Sequence, residues 1–161
     1  MANIVHNVSK GRVNEFTRRV AGNDPANSAF VVVLLKTAEA DAALMDYATL
    51  GALLAAGGGT ANVEADFTNY ARKVLTDADI SAPTVDNAAD EQWSDIPDLV
   101  YTAAGGATNN TLVKAVICYD PDSTGGTDAD LIPMTAHDVS ATTDGNDLTL
   151  TIPADGFYVA T

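Results

Sequence analysis

The sequence is poor in the residue types on which most enzymes and secreted proteins depend. It has one cysteine, Cys118, and two histidines, His6 and His137. A single cysteine excludes an internal disulfide, and with it the class of small disulfide-rich secreted domains. The patterns HExxH, CxxC, GxSxG and GxGxxG are absent, so zinc hydrolysis, serine hydrolysis and dinucleotide chemistry lack their usual residues. We therefore expect no catalytic residue, no metal and no cofactor.

Long apolar runs are also missing. No stretch approaches the roughly 20 residues that cross a bilayer, and residues 1–12 lack the order of basic, apolar and small residues that marks a signal peptide. We expect a protein that is made in a cytoplasm and has no membrane partner. With 161 residues, of which 47% are hydrophobic and 19% charged, the chain has the composition of one globular domain.

Basic residues are scarce and unevenly placed. The net charge is −14, and no lysine or arginine follows Lys114. Residues 1–22 carry four basic residues against one acid, a net charge of +3, whereas the remainder carries four against 21 acids, a net charge of −17. So acidic a surface repels phosphates, which excludes a nucleic-acid partner. The pattern favours a basic segment that docks on an acidic surface, although acidity also simply keeps a protein soluble.

The N-terminal 27 residues have the pattern of a separate segment. Ser9 can cap a helix over residues 10–21, in which Val13, Phe16 and Val20 share one face. The letters GNDP at 22–25 then end the helix. Such a helix can pack on its own domain or on a neighbouring protein, and its sequence leaves both open.

Residues 28–161 have the pattern of a mainly β domain. The apolar run 29–35 predicts a strand buried on both faces, and residues 46–56 predict a helix that ends at the glycines 57–59. Period-two alternation predicts a strand over 66–76, and the acidic stretch 77–95 predicts a long exposed loop. Further strands are predicted at 99–102, 112–119, 130–134, 137–142, 148–152 and 157–160, with a hairpin turn at 144–145. We expect an antiparallel β-sandwich, Ig-like or jelly-roll-like, with one or two short helices in the N-terminal half.

Three local patterns suggest chemistry but are incomplete. The letters DPDSTG at 120–125 match half of a calcium loop, yet Leu131 stands where a bidentate glutamate is required. His137 and Asp138 form two parts of a nucleophilic triad without a suitably placed serine. The triple glycine lacks the GK[ST] of a phosphate-binding loop. The better interpretations are an acidic loop at 120–125, a histidine at a strand end for His137, and a helix terminus at the triple glycine. Cys118 is better interpreted as a small packed side chain.

Three stretches carry a family resemblance: NYARKVLT at 69–76, DIPDLVYTAAGG at 95–106 and LVKAVICYD at 112–120. Together they resemble small virion proteins of tailed bacteriophages, the head-decoration (cement) or minor structural proteins, over roughly residues 28–161. The resemblance implies a homo-oligomer, with a trimer favoured, that binds the major capsid protein on the surface of the assembled head. A tail, neck or fibre-associated subunit is the alternative.

The charge pattern then gives the docking hypothesis. The basic, amphipathic segment is the candidate capsid-docking element, and an acidic body faces solvent, where it repels neighbouring particles. The residues expected to carry the docking are Lys10, Arg12, Val13, Phe16, Arg18 and Arg19.

Overall fold

The computed structural model describes residues 3–161, which form a mainly β protein with 34% strand and 16% helix. The helices are α1 (Val13–Ala21), α2 (Asp41–Leu44) and α3 (Leu50–Gly59), and a 3-10 turn covers Asn7–Ser9. The strands are β1 (Asn3–Val5), β2 (Ala29–Thr37), β3 (Val63–Glu64), β4 (Lys73–Leu75), β5 (Thr84–Asp86), β6 (Glu91–Ser94), β7 (Leu99–Tyr101), β8 (Thr111–Asp120), β9 (Ile132–Thr142), β10 (Leu148–Leu150) and β11 (Tyr158–Ala160).

The longest strands form one antiparallel sheet around β2. Its order is β1-β9-β8-β2-β3, and β4 also pairs with β2. The β2–β8 ladder runs from Ala29 opposite Asp120 to Leu35 opposite Lys114. The strand has no polar residue over its first seven positions, and all seven are buried. A strand covered on both faces needs such a run, so the prediction for residues 29–35 is confirmed.

Alternate residues of β2 build two cores. Phe30, Val32 and Leu34 belong to one apolar cluster on one face of the sheet. On the other face, Val31, Val33 and Leu35 belong to a second cluster. Each large side chain removed from water contributes about 1.5–3 kcal/mol before the entropy of folding is set against it. The sheet is therefore the middle layer of the molecule.

Each face has its own cover. Helices α2 and α3 contribute Leu44, Leu50 and Leu53 to the second cluster. The first cluster lies beneath α1 and two small sheets, ordered β10-β7 and β11-β6-β5. The result is a β-sandwich-like fold with its helices in the N-terminal half, which confirms the predicted fold class.

Helix boundaries differ from the predicted ones at their starts. Ser9 does not cap α1, because its hydroxyl donates to the Pro133 carbonyl at 2.8 Å and the helix begins at Val13. Helix α3 begins at Leu50, where the Thr49 side chain accepts a hydrogen bond from the Ala52 amide at 3.1 Å. The predicted C-terminal ends of both helices are correct: α1 is followed by Gly22, and the α3 backbone leaves helical geometry at Ala56–Gly58.

The predictions for residues 66–76 and 77–95 were wrong in part. Of residues 66–76 only Lys73–Leu75 forms a strand, because Asn69 has a left-handed φ of 69° and Tyr70 closes a turn back to Phe67. The stretch 77–95 is not all loop, since it contains the β5–β6 hairpin.

The pairing around residues 144–145 also differs. The strands on either side do not form a hairpin: β9 pairs with β8 and β1, while β10 pairs with β7. In addition, the two strands expected at 130–134 and 137–142 are one continuous strand, β9.

Candidate docking surface

Helix α1 packs on its own domain, which answers the question that the sequence left open. Val13, Phe16 and Val20 are fully or almost fully buried and join the same cluster as the face of β2 that carries Phe30. The Phe16 ring stacks on the Tyr119 ring of β8, with centroids 4.5 Å apart and planes 17° from parallel. The predicted segment 1–27 and the body 28–161 therefore share one core.

Hydrogen bonds fix the position of α1 over the small sheet that contains β6. The Thr17 hydroxyl donates to Ser94 Oγ at 2.7 Å, and the Ser94 hydroxyl donates in turn to Asn14 Oδ1 at 2.7 Å. The Asn14 amide donates to Gln92 Oε1 at 2.9 Å. Since Gln92 and Ser94 lie on β6, the helix is held at a defined angle and its outward face is preformed.

That outward face is basic. Lys10, Arg12, Arg18 and Arg19 are exposed at or near α1. Glu15 is the acid among them: it pairs with Arg19 at 2.7 Å and with Arg12 at 3.4 Å. Hydrogen bonds from these two arginines, that from Arg19 the stronger, lower the pKa of Glu15. The acid therefore stays ionised and holds two guanidinium groups in place.

Arg12 has a second contact that orients it. Its guanidinium lies over the Phe16 ring, 4.5 Å from the centroid, an arrangement in which the ring face attracts the cation. Phe16 thus connects the core to the basic face, with Tyr119 on its inner side and Arg12 on its outer side.

The predicted docking residues therefore divide into two groups. Val13 and Phe16 are 0% and 1% exposed, so in this structure they stabilise the helix and offer no surface to a partner. The side chains that a partner can reach are those of Lys10, Arg12, Arg18 and Arg19.

Basic residues of the body are all engaged internally. Lys36 pairs with Asp66 at 2.6 Å, and Arg72 bridges Glu64 and Asp128 at 2.7 and 2.5 Å. Ion pairs also join Lys114 to Asp41 and Asp138, and Lys73 lies 4.8 Å above the Tyr101 ring. Within residues 3–161, Lys10 and Arg18 are thus the cations that enter neither an ion pair nor a ring contact. The available positive charge is concentrated at α1.

Carboxylates of the loop at 120–130 are used to shape the loop itself. Asp122 accepts hydrogen bonds from the Thr124 amide and hydroxyl, and Asp130 accepts the same pair from Thr127. Asp128 is held by Arg72. In the part of the chain that the structure describes, no group of three or more histidine, cysteine or acidic side chains is arranged to hold a metal ion.

The other chemically suggestive residues are buried. His137 Nε2 lies 2.9 Å from Thr135 Oγ1, and burial lowers the pKa of His137 to about 4. Burial raises the pKa of the Cys118 thiol, which is inaccessible in the second core cluster. The triple glycine forms the last three positions of α3, and all three glycines have left-handed φ values, as expected for a helix terminus.

One cavity escaped the sequence analysis. It has a volume of about 260 Å³ and lies between β9 and the segment 148–157. The alternating Leu148, Leu150 and Ile152 predict a strand that forms a hairpin with the strand before it. In the structure β10 pairs with β7 instead, and the cavity lies between this segment and β9.

Comparisons of the chain with family models, with curated proteins and with solved structures found no match. Among residues 3–161, no helix is long and apolar enough to cross a bilayer.

Proposed function

We propose that this protein is a structural, non-enzymatic subunit of a tailed-bacteriophage particle. In this proposal it decorates the outer surface of the assembled head, binds the major capsid protein and stabilises the lattice. The observation that supports it best is the separation of charge: a preformed basic face at α1 stands on a body whose own cations are engaged internally. The family resemblance of residues 69–76, 95–106 and 112–120 supplies the capsid as the partner.

The physical role of each part follows from its charge. Complementary charge steers a subunit to an acidic patch and fixes its orientation, with an attraction that weakens as salt screens it. Arg12 and Arg19 are held by Glu15 and so lose little side-chain entropy on binding, whereas Lys10 and Arg18 add charge that is not yet paired. The acidic remainder faces outward and keeps decorated particles apart. A trimer at capsomer junctions belongs to the same proposal.

Charge reversal tests the docking better than truncation does. Removing residues 1–22 would also delete Val13, Phe16 and Val20 from the core, so loss of binding would be ambiguous. The double variant K10E/R18E leaves the core untouched and changes the charge of residues 1–22 from +3 to −1. The control is K73E, a single lysine-to-glutamate reversal on the body, which is matched to the single variant K10E.

Binding is measured by co-sedimentation of the purified proteins with heads that lack the subunit. We expect the wild type and K73E to saturate the heads, and K10E/R18E to bind at least tenfold more weakly at low salt. Thermal denaturation checks that all three are folded. Undiminished binding of K10E/R18E would contradict the role of the basic face. Failure of the wild type to bind heads, together with its presence at low copy number on tails or necks of imaged particles, would favour the alternative location.

A further inference from the structure

The cavity beside β9 lies between the main sheet and the segment 148–157 that covers part of it. Its floor is the main sheet, through Val32, Ala115, Ile117 and Val139, and its outer wall is the segment from Leu148 to Phe157. The lining also includes two alanines, Ala115 and Ala141, whose side chains are small. The space is a cleft that is open to solvent on one side, and its volume is about 260 Å³.

Hydrogen bonds in the outer wall keep this space open. The Ile152 amide donates to Asp98 Oδ1 at 2.8 Å, and the Phe157 amide donates to the Ser94 carbonyl at 3.0 Å. Between them Gly156 presses so closely on β6 that a Cβ atom would lie 2.2 Å from the Ser94 oxygen. The wall is therefore anchored to β6 and to Asp98 just before β7, and the cavity is preformed.

The lining has the chemistry of a site for an uncharged, apolar molecule. Val139, Leu148, Leu150 and Ile152 are packed against the core yet remain partly exposed at the cavity. The rings of His137 and Phe157 add an aromatic corner, with centroids 6.4 Å apart and planes 75° from parallel. Aromatic rings prefer edge-to-face or offset-stacked contacts, so this corner suits an aromatic ligand.

Charge around the cavity selects against anions. The chain from residue 115 to 161 contains eight aspartates and no lysine or arginine. The charged residue in the lining is Asp138, which is paired with Lys114. A carboxylate or phosphate ligand would find no lysine or arginine in the lining, and Lys114, which lies beside it, is already paired with Asp41 and Asp138.

We propose that this cavity binds a small neutral aromatic molecule of one or two rings. The size follows from the volume, which lies just below the usual range of about 300–1,000 Å³ for ligand pockets. Binding would bury the exposed parts of Val139, Leu148, Leu150 and Ile152 and would fill the space between the main sheet and the segment 148–157. This site is separate from the basic face at α1, and the proposal does not rest on the proposed function.

The test uses the neutral naphthalene dye prodan, whose emission shifts to the blue in an apolar environment. We expect saturable one-to-one binding to the wild type. Ala141→Phe places a ring in the cavity and should weaken the affinity at least tenfold, whereas Ala82→Phe makes the same change on an exposed segment and should leave it unaltered. Titration with sodium naphthalene-2-sulfonate should give no binding, because that probe is an anion.

A second measurement needs no variant. In nuclear magnetic resonance spectra of the wild type, prodan should shift the amide signals of residues 137–141 and 148–157 and leave those of α3 unchanged. Absence of saturable binding, shifts centred elsewhere, or equal affinity of A141F and A82F would overturn the proposal.

Discussion

His6 makes the stability of this protein depend on pH in a calculable way. The side chain is 0% exposed, and within residues 3–161 neither ring nitrogen makes a hydrogen bond of good geometry, although the Tyr47 carbonyl lies near the ring. Burial, opposed only in part by the Tyr47 carbonyl, lowers the pKa of His6 from 6.5 to about 4. The unfolded chain therefore takes up a proton near pH 6.5, whereas the folded protein does so only near pH 4.

The sign and size of the effect follow from this difference. Because the unfolded state binds the extra proton, the contribution to stability is complete above pH 6.5 and falls as the pH drops toward 4. Between pH 7 and pH 5 the loss from His6 is about 2 kcal/mol. His137, whose pKa burial also lowers to about 4, should lose a similar amount. Acids whose pKa is lowered in the folded protein, such as Asp66 and Asp128, change the stability mainly below pH 5.

The assay is urea denaturation of the wild type and His6→Leu at pH 7 and pH 5. Leucine removes the two unpaired nitrogens from the interior, so H6L should gain about 1 kcal/mol at pH 7. Its loss on going to pH 5 should be about 2 kcal/mol smaller than that of the wild type. Equal losses for both proteins would refute the reasoning, because they would mean that the imidazole is solvated or paired in the folded state.

Two further changes test the packing. Phe16→Ala should lower the free energy of unfolding by about 3–5 kcal/mol, measured by urea denaturation, because it empties a fully buried site beneath α1. Gly105→Ala should lower the melting temperature markedly: Gly105 has a φ of +100°, and a Cβ would lie 2.2 Å from Asn109 Oδ1. Its control is Gly58→Ala, where φ is +70° but nothing lies within 4 Å, so that only backbone strain of about 1 kcal/mol is added.

The opposite results would be informative. A loss below 1 kcal/mol for F16A would show that α1 is not part of the core. Equal effects of the two glycine substitutions would show that the close approach of Asn109 to Gly105 does not occur in solution.

Predictions from the sequence succeeded where the signal is local and strong. The uninterrupted apolar run at 29–35 specified the doubly buried strand, and glycine placed the ends of α1 and α3. The predictions failed where contacts with distant residues determine the local structure. The alternation at 66–76 is that of a strand, but Phe67, Tyr70 and Tyr101 instead assemble into an aromatic cluster beside a turn.

The same limit applies to the candidate site. The spacing of Val13, Phe16 and Val20 identified an apolar helical face, and the charge pattern identified a basic one. Whether the apolar face meets the chain itself or a partner depends on Tyr119 and on the polar contacts with β6, all more than 70 residues away. The cavity could not be predicted for a related reason, since its walls come from segments that are distant in the sequence, such as Val32, Ala115 and Leu148.

The pairing of β2 with β8 also governs how the chain acquires its fold during synthesis. β2 is complete at Thr37, but its central neighbour begins at Thr111, so the ladder closes a loop of more than 70 residues. Loops of this length make folding slow, because closing the loop costs entropy before the stabilising contacts between its ends have formed. A ribosome must therefore deliver both strands before either core can close. Until then the run 29–35 is an exposed apolar strand, for which holding by a chaperone would be an advantage.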